Sequence, residues 1–499
     1  MKRYKSLFSS SVVVFIGLIV RIILIMLFEL LCARYLGPEK YGTYTLLFTI
    51  IVVISTIPTL GLLQSTRRFI ALYYDQNEHR YIKGIVRLCN YWTLLFGAFL
   101  TGAVYLLIKL IDTSHYSNEE LMTLFPLMLL IIPFYAHRRL AISVFSGFKN
   151  TAYKVVLEDL AEPVIKILAI SIIMMVGGTL ADLTYITIIG YIFLGAISLT
   201  LVARSLNRAV RASVDVSMPW KVFLGFSGAM VITELVELIL TWLDIIMLGM
   251  LASDYEVGLF RAATQPAMLA SVILTSFAFI YMPLATELYG RKESTEWRNL
   301  NNLISLWSMT LAFPISAVCI AYPDVIIGVL FGEEYADAEV TLRILAIAYI
   351  FHSACGFTGL NLIIGDKSTT QMKGKLISLC LHVALNVILI PRYGAQGAAI
   401  SVLLSLIFSN AYNLYWTNKY FSIHPFEKRY FSLLVLNIGL SVLLYLLLNP
   451  FDMQDYQKAI LVGLLHLPIL VFVSLKAGIV RKENCLIIIE WIQLARKSK

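Results

Sequence analysis

The chain has 499 residues, of which 59% are hydrophobic and only 14% charged, a balance that excludes a water-soluble globular domain. Its formal net charge of +9 does not mark a nucleic-acid binder, because Lys and Arg fall in short segments between apolar runs, where membrane topology accounts for them. The six cysteines lie scattered in mostly apolar stretches, without C-x-x-C spacing or histidines at metal-ligand spacing, and read as small buried hydrophobes.

Apolar runs of about 18 to 25 residues recur along the chain, each long enough to cross a hydrocarbon core of roughly 30 Å as a helix. The first follows Lys2, Arg3 and Lys5 and extends from Phe8 to Leu31. That is longer than a signal-peptide core, so it predicts an uncleaved first helix. Further spans are predicted at 44–64, 88–111, 121–143, 153–176, 183–203, 222–244, 258–284, 302–322, 341–364, 372–390, 396–416, 430–448 and 458–478. The fold class is therefore an all-α integral membrane protein of about fourteen transmembrane helices. A count of twelve would make segments such as 183–203 or 372–390 re-entrant and break the charge pattern described next.

Basic residues alternate between connecting segments. Arg67, Arg68, Arg80, Lys83 and Arg87 are followed by Arg138, Arg139, Lys149 and Lys154, then by Arg204, Arg208, Arg211 and Lys221. Arg291, Lys292 and Arg298, then Lys367, Lys373 and Lys375, then Lys419, Lys428 and Arg429 continue the series. Acidic residues such as Asp112, Asp182, Asp254, Asp324 and Asp452 occupy the segments between. The positive-inside rule makes the basic side cytoplasmic, with both termini there. No connection exceeds about 25 residues, which leaves no room for a separate soluble catalytic domain and argues against an enzyme. A membrane glycosyltransferase or polymerase, which would need a large loop carrying catalytic acids, is the reading this disfavours.

The segment Ala33-Arg-Tyr-Leu-Gly-Pro-Glu-Lys-Tyr-Gly-Thr-Tyr44 is echoed by Met247-Leu-Gly-Met-Leu-Ala-Ser-Asp-Tyr-Glu-Val-Gly-Leu-Phe260. Gly42 and Gly258 stand six predicted helices apart, which predicts two six-helix lobes in the same orientation, 1–210 and 211–420, followed by two further helices and a tail, 421–499. Four blocks carry a family resemblance: Ala33–Tyr44; Asp244–Phe260; Phe331-Gly-Glu-Glu-Tyr335 with Ala338; and Asn386 with Pro391-Arg-Tyr-Gly394 and Gly397. Together they resemble the polysaccharide-transporter branch of the multidrug/oligosaccharidyl-lipid/polysaccharide exporter superfamily. One position departs from that pattern, Phe260 standing where the family typically has Tyr. The glycines and prolines of these blocks are expected at turns near helix ends, so the motifs report fold more than chemistry.

The resemblance implies a flippase that moves a polyprenyl-diphosphate-linked oligosaccharide across a prokaryotic cytoplasmic membrane by alternating access. A peptidoglycan-precursor flippase and a cation-coupled multidrug exporter are the alternatives within the superfamily. Membrane lipids and other polysaccharide-assembly membrane proteins are the further partners it implies. No cofactor is called for beyond Na⁺ or H⁺ as a coupling ion.

Charges inside predicted spans are costly and are therefore functional or paired. Arg21 lies about 20 Å along the first helix, at 1.5 Å per residue, too deep to reach cytoplasmic water easily. It would either hold a diphosphate through its planar fork or pair with an acid on a neighbouring helix. By resemblance to the peptidoglycan-precursor flippases, Arg261 joins Arg21 as a cavity cation. On the seventh span Glu234, Glu237, Thr241 and Asp244 share an arc of roughly 80° at 100° per residue. That acidic stripe would couple an ion, act as a gate, or simply be solvated in a lumen. Glu162 and Lys166 are placed to pair at i,i+4. Pro126, Pro133, Pro163, Pro266 and Pro314 are candidate kinks. His352 and His382 read as satisfied core residues, and the tail from Arg481 to Lys499 reads as an amphipathic helix on the inner leaflet.

Overall fold

The computed structural model describes residues 2–110, 118–205, 216–218, 220–451 and 453–476. The predicted tail helix, Cys485, Asp112, Arg208, Arg211, Asp452 and the 210/211 lobe boundary lie outside the described residues. Among those described, every regular element is helical. A bilayer offers no water to hydrogen-bond open backbone groups, so a chain this apolar satisfies them within helices.

The chain divides into two compact units, Ser9–Ile246 and Met247–Lys499, the latter grouped with Met1–Phe8. The first holds α1 (Lys2–Thr56), a short 3-10 turn (Ile57–Thr59), α2 (Leu62–Asp75) and α3 (His79–Leu110). It continues with α4 (Glu119–Met128), α5 (Ile131–Gly147), α6 (Thr151–Lys154), α7 (Ala161–Val176), α8 (Leu180–Ser205) and most of α9 (Trp220–Leu251). The second holds α10 (Asp254–Gly290), α11 (Ser294–Ala321), α12 (Pro323–Leu330), a 3-10 turn (Glu333–Ala338), α13 (Glu339–Cys355) and α14 (Thr358–Ile364). It ends with α15 (Ser368–Phe421), α16 (Lys428–Leu448) and α17 (Asp455–Lys476).

Nine helical stretches among the described residues are long and apolar enough to cross a membrane, and a tenth is counted if α4 and α5, bent by 52°, form one span. Pro126 and Pro133 flank that bend, as expected of residues that interrupt the backbone ladder. Two of the nine are single helices only in continuity. α1, with 55 residues, is broken at Gly37 (φ 75°), and α15, with 54, is broken at Gly394 (φ 53°). At about 20 residues per crossing each is long enough for two. These glycines occupy left-handed backbone that other residues adopt only with strain, as the motif reading anticipated. Gly42 and Gly258 depart from that reading. Both are buried inside helices with no positive φ, so neither marks a turn.

In the first unit α5 is the central helix, packed against α2, α3 and α8. Its close approach rests on small residues: a Cβ on Gly97 would stand 2.8 Å from Pro133, one on Gly147 2.8 Å from Ile70, and one on Gly195 2.6 Å from Phe134. Helices in lipid associate through such packing, since acyl chains are as apolar as leucine. In the second unit α10, α11, α13 and α15 form the body, and α16 and α17 pack together against α11.

The motif blocks of the second unit meet at one place. Tyr255 donates its hydroxyl to Asp337 at 2.8 Å, joining the second block to the third. Glu256 accepts the Ala395 N–H at 2.7 Å, joining the second to the fourth. The carboxylate of Glu256 thus satisfies a backbone group that the Gly394 break would leave open.

Candidate functional site

Within the first unit, three cations and three carboxylates lie together inside the helical packing. Local sequence builds the acidic side. Val155–Leu160 is a π-helical turn between α6 and α7. Pro163 has no N–H to offer the Asp159 carbonyl, so the regular ladder cannot pass through this point. The widened turn presents Glu158 and Asp159 to α1, and Glu162 follows in the first turn of α7. Gly17 makes room for this approach: a Cβ there would stand 2.9 Å from the Asp159 carboxylate and 3.0 Å from Val155.

Arg21 Nη1 donates to Glu158 Oε1 at 2.7 Å and lies 3.7 Å from Asp159 Oδ1. Its side chain is 31% exposed, and its contacts to described residues run through this one nitrogen. Nε and Nη2 remain available to a second anion. Of the two readings of Arg21, the structure displays the pair with a neighbouring helix and leaves the rest of the fork open.

Arg138 is placed differently. It is the largest fully buried side chain described, 2% exposed, and donates to Glu162 Oε2 at 2.6 Å and to the Leu157 carbonyl at 3.0 Å. Tyr191 donates to the other oxygen of Glu162 at 2.6 Å, and Lys166 Nζ stands 3.7 Å from it. The predicted Glu162–Lys166 pair is therefore present but secondary to Arg138. Lys166 also sits 3.9 Å from the centroid of the Phe48 ring. By pattern Arg138 belonged with the cytoplasmic basic residues, yet α5 carries it into the core of the unit. The available signal was its position inside the predicted span 121–143 and not beyond it. Glu29, which accepts a hydrogen bond from Tyr41 at 2.5 Å, is a further buried acid that pattern reading passed over.

The acidic stripe of α9 is present but not uniform. Glu237 is exposed, whereas Asp244 is buried at 9% exposure. Glu234 Oε2 accepts the Gly61 N–H at 2.8 Å. Gly61 (φ 72°) begins α2, so the carboxylate sits at a helix N-terminus, where the backbone dipole favours an anion. Ser65 and Ser227 meet beside it at 2.7 Å, and a Cβ on Gly61 would collide with the Ser227 carbonyl at 2.3 Å. Arg139 donates to Thr56 at 2.7 Å, and both Arg139 and Arg67 lie within electrostatic reach of Glu234. Arg261, in the second unit, is half-buried in α10 beside Gln265, whose amide oxygen, turned toward it, lies 3.0 and 3.1 Å from Nε and Nη2. Among the described residues no group of three or more His, Cys, Asp or Glu is arranged to hold a metal ion.

Residues 7–289 match the family model described as polysaccharide biosynthesis protein, which is more than half of the chain. The chain belongs to the polysaccharide biosynthesis protein family. A second model, MatE, matches residues 229–388. Among relatives of this family member is a Haloferax volcanii protein named as a low-salt glycan biosynthesis flippase, Agl15, 24% identical over 199 residues. That match spans 40% of this chain and 42% of the relative's length. A Shigella flexneri protein assigned to O-antigen transport is 23% identical over 381 residues, covering 74% of this chain and 87% of its own. The fold is that of the lipid II flippase MurJ in an inward closed conformation (TM-score 0.74, 14% identity, 95% of this chain and 100% of that one). It is also that of an inward-facing multidrug resistance MATE transporter (TM-score 0.65, 15% identity, 81% and 98%). The family member described here is thus a multi-pass membrane protein with a transporter fold.

Proposed function

We propose that this protein is a flippase that carries an oligosaccharide linked to a polyprenyl diphosphate across a prokaryotic cytoplasmic membrane by alternating access. Transport, and not catalysis, is the activity. The observation that carries the reading is Arg21: a guanidinium deep in a membrane helix, held by Glu158 through one nitrogen and open at the others. A fork so placed suits bidentate contact with phosphate oxygens while Glu158 keeps it oriented. Names given to relatives, a glycan biosynthesis flippase and an O-antigen transporter, support the same substrate class.

In this reading Arg21 in the first unit and Arg261 in the second are diphosphate-binding residues. Glu162 and Lys166, with Arg138, form the charge lock behind Arg21. Glu234, Glu237 and Asp244 are the groups through which Na⁺ or H⁺ couples to transport, and Glu234 gates by occupying the start of α2. The chain crosses the membrane fourteen times with both termini cytoplasmic, and other membrane proteins of polysaccharide assembly receive its product.

The test is transport by purified protein in vesicles containing a polyprenyl-diphosphate oligosaccharide, with outer-leaflet sugar read by an impermeant lectin. Wild type moves the lipid, and Arg21→Ala loses at least about tenfold of the rate, the loss of roughly 1.4 kcal/mol expected of a charge-assisted contact, while still unfolding cooperatively in detergent. No movement by wild type under either a Na⁺ or an H⁺ gradient overturns the flippase reading. Equal movement by both proteins removes Arg21 from the binding site.

A further inference from the structure

The second unit contains a cleft of about 710 Å³ that no part of the transport reading uses. It is formed by the last turns of α10, the first turns of α11 and the segment from Pro425 to Tyr430 that leads into α16. Its floor is apolar, built from Leu284, Leu288, Leu303 and Leu306. Its rim is charged with both signs.

Two of the rim contacts are closed. Arg291 pairs with Glu287 at 2.5 Å, and Asn302 donates to Glu427 at 2.6 Å. Two rim groups are open: among the described residues, neither the Glu296 carboxylate nor the Arg429 guanidinium has an ion-pair or hydrogen-bond partner. The two also stand beyond ion-pair distance of each other, which leaves space for a ligand between them. Arg429 lies in the first turn of α16, the helix end at which the backbone dipole disfavours a cation and favours an anion. An anion bound there would meet the guanidinium at the positive end of the helix dipole.

The level of the cleft in the membrane is marked by aromatic residues. Exposed Tyr415 and Tyr420 flank Trp416 at 5.4 and 5.3 Å on the last turns of α15, and the cluster runs through Phe421 to Trp297, the neighbour of Glu296 in the chain. Trp and Tyr gather in this way where a helix passes from acyl chains into the headgroup layer. An open carboxylate, an open guanidinium and a leucine floor at that level are complementary to a headgroup that carries an ammonium and a phosphate above acyl chains. With Glu287 offset by Arg291, the rim sets Glu296 and Glu427 against Arg429, a balance of −1 that disfavours a headgroup with only negative charge.

We infer that this cleft binds one phosphatidylethanolamine molecule, with its ammonium on Glu296, its phosphate on Arg429 and an acyl chain over the leucines. Such a lipid would tie the base of α10 and α11 to the start of α16, the helix pair packed on α11.

The experiment is native mass spectrometry of the full chain in detergent doped in turn with phosphatidylethanolamine, phosphatidylglycerol and phosphatidylcholine, with thermal unfolding measured in parallel. Wild type retains phosphatidylethanolamine and gains stability from it in preference to the other two. Both Glu296→Gln and Arg429→Gln lower its retention about fivefold, as loss of one exposed charge contact predicts. Arg298→Gln, exposed but outside the cleft, retains lipid as wild type does. Equal retention of phosphatidylglycerol, or retention unchanged in both cleft variants, overturns the assignment. Neither result bears on lectin-read transport, so this inference and the flippase reading fail separately.

Discussion

In Ser9–Ile246 the largest polar network held among the helices is charged: Arg21 with Glu158 and Asp159, and Arg138 with Glu162 and Lys166. In Met247–Lys499 the largest buried networks are neutral. Tyr281 donates to Asn361 and receives the Trp297 indole N–H at 3.0 Å, and Asn361 donates to Asn301 at 2.9 Å. His352 meets Asn410 at 3.1 Å, and His466 bridges Asn437 and Ser441 between α16 and α17 at 3.2 and 3.3 Å. Two bundles made from similar apolar helices have therefore met the cost of burying polar atoms in different ways. A neutral network is satisfied by its own donors and acceptors and adds about 0.6 kcal/mol per contact in a membrane protein. An ionic network carries a desolvation penalty that packing alone would not justify, which is why charge within a span points toward function.

This contrast breaks most sharply at Arg138. Replacement by Met keeps much of its volume but strands Glu162 with only Lys166 and Tyr191, and should cost about 3 to 5 kcal/mol, read as a fall in unfolding temperature in detergent. Arg138→Lys should recover only part of it, because one ammonium cannot reach both Glu162 and the Leu157 carbonyl as the fork does. Stability equal to wild type in Arg138→Met would mean that the first unit is held no more by charge than the second.

Glu256 is a charged exception in the second unit, and Gly394→Ala tests it. The new Cβ would lie 2.3 Å from the Glu256 carboxylate in backbone with φ +53°, for an expected loss of about 1 to 3 kcal/mol. Adding Glu256→Ala should relieve the collision but not the backbone strain, so the double variant should be less destabilised than the two singles summed. Strict additivity would show that the carboxylate does not rest on the break. The smallest effect is expected at Asn361→Ala, about 1 kcal/mol, with transport unchanged. A transport defect there, without loss of stability, would place the neutral network in the transport cycle and erase the contrast.

Much of the fold was legible in the sequence. Apolar run length announced an all-helical membrane protein, and Gly37 and Gly394 announced the two breaks, because span length and left-handed backbone are local properties. The site was legible only in part. Arg21 stood out as a charge in an apolar run, and Glu162–Lys166 as an i,i+4 pair. Arg138 did not, because by pattern it continues a row of cytoplasmic basic residues, and only the central position of α5 buries it. The contact of Glu234 with Gly61 spans 173 positions and has no signature at either end. Gly42 and Gly258 show the converse: both stand in turn-like motifs, yet each is buried in regular helix with no positive φ.

The sequence by itself determined that this chain lives in a bilayer, that its regular elements among the described residues are helical, and which charges stand where lipid would otherwise be. Those follow from the length and composition of single segments against the thickness and dielectric of the membrane. Tertiary structure alone decided how the charges are used: Arg21 meets Glu158 across 137 positions, Arg138 meets Glu162 across the π turn, and Glu256 finds the broken helix at Ala395. These three partners are chosen by distances of a few ångströms between separate elements, and no periodicity along one helix encodes them.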